Sequence, residues 1–147
     1  MPVPCTSVEQ PGWLTLRQQL WPHCSLTRHL TQMGEFLAAP GRFTQFIEYD
    51  SAGAPIGFIE ASLRTDYVNG TTSSPVAFLE GLYVVPTARR RGVGRMLVAS
   101  VERWAVDAGC TEFASDTTLD NVQSQRMHLA LGFKETQRYV FFKKALP

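Results

Sequence analysis

The sequence predicts an α+β domain with one central mixed, mostly antiparallel sheet that is flanked by helices. Two observations lead to this fold class. Segments typical of paired hairpin strands dominate the first half of the chain, whereas helices separate the strands of the second half. The length of 147 residues and the hydrophobic content of 44% fit one domain, residues 1–147, that buries a substantial core.

In the first half, aromatic and leucine side chains recur at near-helical spacing between Trp13 and Trp21, and Pro22 ends that predicted helix. A second helix is expected from about Thr27 to a point before Pro40. Two strands joined by a tight turn then follow, at residues 43–49 and 56–64, with the turn at residues 50–53.

The second half opens with the most apolar strand, residues 76–85, which Glu80 and Gly81 interrupt in a way that indicates a bulge. A long helix comes next and ends at Gly109. Its predicted apolar stripe consists of Leu97, Val101, Trp104, Ala105 and Ala108. A short strand (residues 112–115), a helix (residues 121–131) and a final strand (residues 139–142) complete the prediction.

Composition excludes several classes of protein. The net charge of +1 gives no global field for nucleic acid or an anionic membrane, so neither is an expected partner. Three cysteines cannot form a closed disulfide framework and are interpreted as small buried residues of a protein in a reducing compartment. The N-terminus resembles no signal peptide and no apolar run is long enough to cross a bilayer, so a cytoplasmic location is expected.

The turn after the apolar strand has the features of a phosphate site. Residues 84–94 end a strand, turn through glycines and open a helix, whose first N–H groups have no intrahelical acceptor and carry partial positive charge. Arg89, Arg90 and Arg91 add charge-assisted donors. The alternative is a solvated arginine cluster with glycines that only cap a loop. The pattern matches neither a P-loop nor a dinucleotide-binding Rossmann loop.

Two motifs here resemble the GCN5-related N-acetyltransferases. Pro86 and Arg89-x-x-Gly92-x-Gly94 are similar to the acetyl-CoA loop of that superfamily, and residues 121–133, which end in Leu-Gly-Phe, are similar to its last helix. The resemblance implies the N-acetyltransferase fold, acetyl-CoA as cosubstrate, no metal, and pantetheine pairing with the bulged strand. The cofactor-binding residues it implies are Leu82, Tyr83, Val84, Arg89, Arg90, Arg91, Gly92, Val93, Gly94, Arg95 and Asn121.

An ordered series of short strings also resembles the aminoglycoside 6'-N-acetyltransferases over nearly the whole chain. They include Leu20-Trp21-Pro22, residues 60–64, 66–70, 73–76 and 78–81, and Ala114-Ser115-Asp116-Thr117. The resemblance implies a homodimer and an aminoglycoside acceptor. It places the acceptor contacts at Trp21, His23, Tyr67, Glu80, Asp116 and Gln137, the last of which stands near a position where family members place an acid.

Most of these residues also have a purely structural interpretation. Trp21 continues an apolar helix stripe, and Tyr67 is also suited to packing a loop. Asp116 or Asp120 fits a helix cap, and His23 fits a solvated helix terminus. Glu80 is the exception: a carboxylate inside an apolar strand carries a desolvation cost unless something pairs with it, which favours a functional role.

Acetyl transfer needs a neutral acceptor amine, so a base must take a proton. Glu80 is the first candidate and Asp116 the second. The N–H of Leu82 or Tyr83, freed by the bulge, is expected to stabilise the oxyanion. His128 stands where the superfamily commonly has a tyrosine that acts as general acid. It is either the residue that protonates the departing CoA thiolate or a structural histidine.

Carboxylates suit a polycationic acceptor, and Asp66 and Glu60 are expected to extend the acidic surface around Glu80 and Asp116. Two alternatives remain open at this point. One is an acetyltransferase for another amine, such as a polyamine, a peptide N-terminus or a protein lysine. The other is a non-catalytic acetyl-CoA sensor, against which the intact Glu80 and Asp116 argue.

Overall fold

The computed structural model describes residues 1–147 and contains five strands and four helices. None of the helices is both long and apolar enough to span a bilayer. In chain order the elements are β1 Val3–Pro4, α1 Trp13–Leu20, α2 Leu26–Ala38, β2 Phe43–Tyr49, β3 Pro55–Arg64, β4 Val76–Val84, a 3₁₀ helix Pro86–Ala88, α3 Val93–Asp107, β5 Phe113–Ala114 and α4 Val122–Ala130.

The strands form one sheet in the order β1-β2-β3-β4-β5. The first four are antiparallel neighbours and β5 runs parallel to β4, which confirms the predicted mixed, mostly antiparallel sheet. The turn between β2 and β3 is held by Asp50, whose Oδ1 accepts hydrogen bonds from the N–H groups of Ala52 and Ala54. Strand β1, which is only two residues long, is not among the elements predicted from the sequence.

The predicted final strand is wrong. Residues 139–142 form no strand, and the side chains of Val140, Phe141 and Phe142 are exposed. A strand needs a neighbour that pairs its N–H and C=O groups, and no strand of this chain pairs with that segment. The apolar stripe of α3 needs a smaller correction, because Ala108 is an exposed cap residue after the helix.

Helices cover both faces of the sheet. On one face, Leu97 and Val101 of α3 pack with Ile59 of β3. On the other face, Trp13 of α1 packs with Phe58 of β3. Because neighbouring residues of a strand point to opposite faces, the even-numbered residues 58, 60, 62 and 64 of β3 lie on the side of α1 and α2. Cys5 and Cys110 are buried as predicted, whereas Cys24 is half-buried.

A charged cluster lies inside the α1–α2 face. Arg17 and Glu60 are 1% and 2% exposed and form a salt bridge. Trp13 Nε1 donates to the other Glu60 oxygen at 2.8 Å, and Arg17 Nε donates to His29 Nδ1 at 3.1 Å. Gln32 accepts a further bond from Arg17, so the guanidinium ties α1 to both α2 and β3. Removing one member of such a pair leaves an uncompensated buried charge.

His29 should make stability depend on pH. Burial, with the Arg17 charge as a second cause, lowers the pKa of His29 from its ordinary value of 6.5. The unfolded chain therefore binds more protons than the folded chain at acidic pH. The free energy of unfolding thus has its full value well above pH 6.5 and falls as the pH drops below it. We expect unfolding free energy to decrease by up to about 1.4 kcal/mol per pH unit between pH 6.5 and 5.5.

Thermal or denaturant unfolding across this range tests the assignment with His29→Asn, which keeps an acceptor near the position of Nδ1 but does not titrate. This variant should show a flatter pH dependence than the unmodified protein. His23→Asn, at an exposed position, should retain the original slope. Equal slopes in all three proteins would contradict a role for His29.

Candidate functional site

The functional region begins where β4 and β5 part. The two strands pair only at Ala77 with Phe113 and at Phe78 with Ala114, although β4 continues to Val84. Beyond Ala114, one edge of β4 therefore has no neighbouring strand. The unpaired edge confirms the expected opening beside the bulged strand.

The alternation of β4 shows which backbone groups face this opening. Arg89 Nε donates to the carbonyl of Val84 at 2.8 Å, and the N–H of Val85 donates to Ile56 on the β3 side at 2.9 Å. The N–H and C=O of one strand residue point to the same edge, and successive residues alternate. Leu82 therefore presents its N–H to the opening, whereas Tyr83 directs its own toward β3.

The bulge lies at Glu80. Glu60 pairs with Gly81 and Ala61 pairs with Leu79, so Glu80 is the extra residue of β4. Its Oε1 accepts hydrogen bonds from Ser62 Oγ at 2.6 Å and from Arg64 at 3.0 Å, and its side chain is 31% exposed. The carboxylate is thus fixed by one oxygen, and Oε2 makes no hydrogen bond within the chain.

The loop between β4 and α3 is shaped as an anion cradle. Gly92 precedes α3 with φ 81°, and Arg90 also has a positive φ of 64°. Only glycine adopts such angles without strain, so the turn depends on Gly92. The backbone N–H groups of residues 91–95 donate to no backbone acceptor, and they lie at the positive end of the helix dipole. These are the elements of a phosphate site.

The four arginines of this loop and the first turn of α3 divide into two pairs. Arg89 binds the Val84 carbonyl and its guanidinium lies 5.7 Å from the centre of the Tyr83 ring. Arg95 donates to the carbonyl of Ala130, the last residue of α4, at 3.1 Å. Arg90 and Arg91 are exposed and donate to no acceptor in the chain. The first pair therefore holds the loop in place, and the second pair is available to an anion.

A cavity of about 450 Å³ opens on the α1–α2 side of the bulge. Trp21 forms one wall, with its ring 4.9 Å from the Arg17 guanidinium and edge-on to Phe58. Gly81 allows this position, because a Cβ there would lie 2.5 Å from the Trp21 ring. The lining residues of this larger cavity are Arg17, Leu20, Trp21, Pro22, His23, Cys24, Arg28, Gln32, Phe36, Glu60 and Glu80.

A smaller cavity of about 150 Å³ lies between the parted strands. The two cavities share Leu20, Trp21 and Glu80 and so adjoin at the bulge. Asp116 makes no hydrogen bond or salt bridge within the chain. The lining residues of this smaller cavity are Leu20, Trp21, Leu79, Glu80, Gly81, Leu82, Ser115, Asp116, Ser124, Met127 and His128.

His128 is held at both ring nitrogens. Nδ1 lies 2.7 Å from the carbonyl oxygen of Ser124, and Nε2 lies 2.7 Å from Ser115 Oγ. The ring also packs edge-on against Phe133 at 5.3 Å. His128 is therefore fixed within the fold and also lines the smaller cavity.

The structure places Tyr67, Gln137 and Asn121 apart from the two cavities. Tyr67 lies in an exposed loop with 75% of its surface accessible, and Gln137 lies in the exposed C-terminal segment. Asn121 caps α4 by accepting a hydrogen bond from the N–H of Ser124, which rules out the alternative that Asp116 or Asp120 is the cap of this helix. Glu60 does not extend an acidic surface, because it is buried against Arg17.

Four residues of the site were not identified from the sequence: Arg17, Ser62, Arg64 and Ser115. One signal for Ser62 and Arg64 was available, since they follow Glu60 at the two-residue period of a strand and so share its face. Arg17 and Ser115 gave no comparable signal. No group of three or more His, Cys, Asp or Glu side chains is arranged to hold a metal ion.

Comparisons with known proteins agree with this geometry. The acetyltransferase (GNAT) family model matches residues 10–133. The chain is 49% identical over 146 residues to the aminoglycoside N(6')-acetyltransferase type 1 of Serratia marcescens, with 99% of both chains covered. It is 48% identical over 142 residues to the enzyme of that name from Acinetobacter genomosp. 13, covering 97% and 96% of the two chains.

Two solved structures are similar over the whole fold. The 6'-N-acetyltransferase AAC(6')-Ih from Acinetobacter baumannii has a TM-score of 0.93 at 45% identity and covers 100% of this chain and 99% of its own. AAC(6')-Iy in complex with the bisubstrate analogue CoA-S-monomethyl-acetylneamine has a TM-score of 0.92 at 44% identity, covering 99% and 98%. The chain therefore belongs to the acetyltransferase (GNAT) family, among the aminoglycoside N(6')-acetyltransferases.

Proposed function

We propose that this protein, as one N-acetyltransferase domain over residues 1–147, transfers the acetyl group of acetyl-CoA to the 6'-amine of aminoglycosides. One observation carries the proposal: the opened edge of β4 joins an anion cradle at one end to the Glu80 carboxylate at the other. Relatives at 49% identity that carry this activity in their names support the choice of acceptor.

In this proposal, acetyl-CoA binds along the opened edge of β4. Its pyrophosphate accepts hydrogen bonds from the N–H groups of residues 91–95, and Arg90 and Arg91 balance its charge. The pantetheine arm pairs with the backbone of Leu82 and Val84, with Asn121 beside it at the start of α4. The thioester then reaches the smaller cavity, next to the bulge.

The acceptor occupies the larger cavity and approaches the thioester past Glu80. An aminoglycoside carries several ammonium groups on a rigid hydroxylated frame, so carboxylates and aromatic faces suit it. Glu80 and Asp116 supply the charge, Trp21 supplies a ring and His23 a polar rim. Tyr67 and Gln137 are proposed to contact the outer part of the acceptor from their exposed segments.

The chemistry is a direct attack. Glu80 takes a proton from the acceptor ammonium through Oε2, while Ser62 and Arg64 hold Oε1. The neutral amine attacks the thioester carbonyl, and the N–H of Leu82 stabilises the oxyanion. The C–S bond then breaks and the CoA thiolate requires a proton, for which His128 is the proposed source.

Release of the CoA thiol with a panel of acceptors tests the proposed function. We expect turnover with acetyl-CoA and kanamycin, because its 6'-amine is the proposed nucleophile. The 6'-hydroxy counterpart, spermidine and a lysine peptide should give little or none. Equal turnover of the 6'-hydroxy compound would refute the positional assignment, and preference for spermidine or the peptide would favour the alternative acceptors.

The two candidate bases are separable by amide substitution. Glu80→Gln should lower kcat by a factor on the order of 10², the usual contribution of a positioned base. Asp116→Asn should mainly raise the KM of the acceptor, because Asp116 has no partner in the chain and would pair with an ammonium. Asp107→Asn, at the exposed end of α3, is the control. The reverse pattern would identify Asp116 as the base.

Two glycines with the same backbone conformation allow a matched test of the anion cradle. Gly92 and Gly53 have φ values of 81° and 85°, and a Cβ added at either position would meet no atom within 4 Å. Each change to alanine should therefore lower the unfolding free energy by about 1–2 kcal/mol through strain alone.

Only Gly92→Ala should also weaken CoA binding, by roughly tenfold, because the strain displaces the N–H groups that face the pyrophosphate. Isothermal titration with CoA measures this difference. Equal CoA affinity in the two variants would contradict the placement of the pyrophosphate, whatever their stability.

We further propose a homodimer in which the C-terminal segment packs against a second copy. Val140, Phe141 and Phe142 are 74%, 88% and 92% exposed, and contiguous apolar surface of this kind commonly marks an interface. The sheet also ends at the two-residue strand β5, so that edge is open to a further strand.

Sedimentation velocity tests the dimer. The sedimenting species should have twice the 16.4 kDa mass of one chain. The double substitution Phe141→Asp/Phe142→Asp should convert it to monomer. Val106→Asp replaces an exposed apolar side chain on α3 and should leave the dimer intact. A monomer at all concentrations would refute the proposal.

We also propose a biological effect and a location for the protein. Acetylation removes the charge of one ammonium group and so lowers the affinity of an antibiotic that binds its target electrostatically. We therefore infer that the protein confers aminoglycoside resistance. A cytoplasmic location accords with the three cysteines, all of which are free thiols, because cytosolic proteins rarely carry disulfides.

A further inference from the structure

We propose that Ser115 is a catalytic residue, the group that passes a proton from His128 to the departing CoA thiolate. The inference rests on the acetyl transfer proposed above and adds to it a residue to which the sequence assigned no role. Its basis is the hydrogen bonding of His128. Both ring nitrogens already have a partner within the chain, so neither is free to contact the CoA sulfur directly.

The tautomer of His128 follows from its partners. Nδ1 lies 2.7 Å from the carbonyl oxygen of Ser124, and a carbonyl only accepts, so Nδ1 carries a hydrogen. Nε2, 2.7 Å from Ser115 Oγ, then accepts from the hydroxyl when the ring is neutral and donates to it when the ring is protonated. A proton that leaves Nε2 of the protonated ring toward the cavity therefore passes through Ser115.

Ser115 lies where the thioester is expected. It directly follows β5, whose pairing with β4 ends at Phe78 and Ala114, so it stands at the point where the two strands part. Ser115 lines the smaller cavity together with Glu80 and Leu82. The proposed base, the oxyanion donor and Ser115 therefore surround one space of about 150 Å³.

The step is a double proton transfer. The nitrogen of the tetrahedral intermediate first releases its remaining ammonium proton to solvent. As the C–S bond then breaks, its electron pair goes to sulfur and the carbonyl re-forms. The sulfur takes the proton of Ser115 Oγ while Oγ takes the proton of His128 Nε2. The products are CoA thiol, the neutral hydroxyl of Ser115 and a neutral His128 with its hydrogen on Nδ1, which regains a proton from water before the next cycle.

Single-turnover kinetics with bound acetyl-CoA and excess acceptor test the relay without interference from product release. Ser115→Ala should lower the single-turnover rate by a factor on the order of 10², with CoA affinity unchanged. Ser115→Thr keeps the hydroxyl and should recover most of the rate. The double variant Ser115→Ala/His128→Phe should be no slower than the slower single variant, because the two residues act as one unit.

A second readout separates catalysis from a structural effect. Two protons move together in the relay, so the rate should depend on the deuterium fraction of the solvent along a curve, and Ser115→Ala should make that dependence linear or flat. Ser100→Ala is the control, since it removes a buried hydroxyl that donates to Met96 in α3. A Ser115→Ala enzyme with the unmodified rate and curvature would overturn the relay.

The relay and the proposed function fail separately. The acceptor panel with the unmodified protein decides which amine is acetylated. The relay is then measured on that amine, whichever it is, by comparing variants with the unmodified protein. A wrong acceptor therefore leaves the Ser115 test intact, and full activity of Ser115→Ala on kanamycin leaves the proposed function intact.

Discussion

The extra residue of β4 at Glu80 is the constraint on which the site depends. Without the register shift beside Glu60 and Ala61, the pairing of Ala61 with Leu79 would continue to Glu60 with Glu80 and to Ile59 with Gly81, so Gly81 would lie on the face of α3. The shift instead places Gly81 opposite Glu60 on the face of α1, where it gives Trp21 its place, and it leaves Glu80 beside Ser62 and Arg64. One inserted residue therefore positions both the carboxylate and the wall of the larger cavity.

The buried cluster around Arg17 helps to fix Trp21 and the bulge in this arrangement. Its guanidinium binds Glu60 and His29 in the interior, and it also lies against the ring of Trp21 at the cavity. A buried ion pair is not in itself a strong source of stability, because desolvation offsets much of the attraction. What it provides here is a fixed relation between α1, α2 and β3, and thus between Trp21 and the bulge.

Two different kinds of contact are combined across the opened strand. The proposed cosubstrate is held mainly by backbone N–H groups, which depend on the fold and on Gly92 rather than on particular side chains. The proposed acceptor and the proton transfers depend on side chains, namely Glu80, Asp116 and the Ser115–His128 pair. Substitutions at the second group can therefore alter the acceptor while the anion cradle stays unchanged.

The sequence by itself determined the elements that local chemistry specifies. Alternation and turn residues placed β2, β3 and β4, glycine and proline marked the helix ends, and the Glu80-Gly81 interruption correctly indicated a bulge. Tertiary structure alone decided which side chains meet, because contacts between distant residues leave no local pattern: Arg17 with Glu60, and Ser115 with His128. It also decided that residues 139–142 form no strand, since a strand exists only beside a partner.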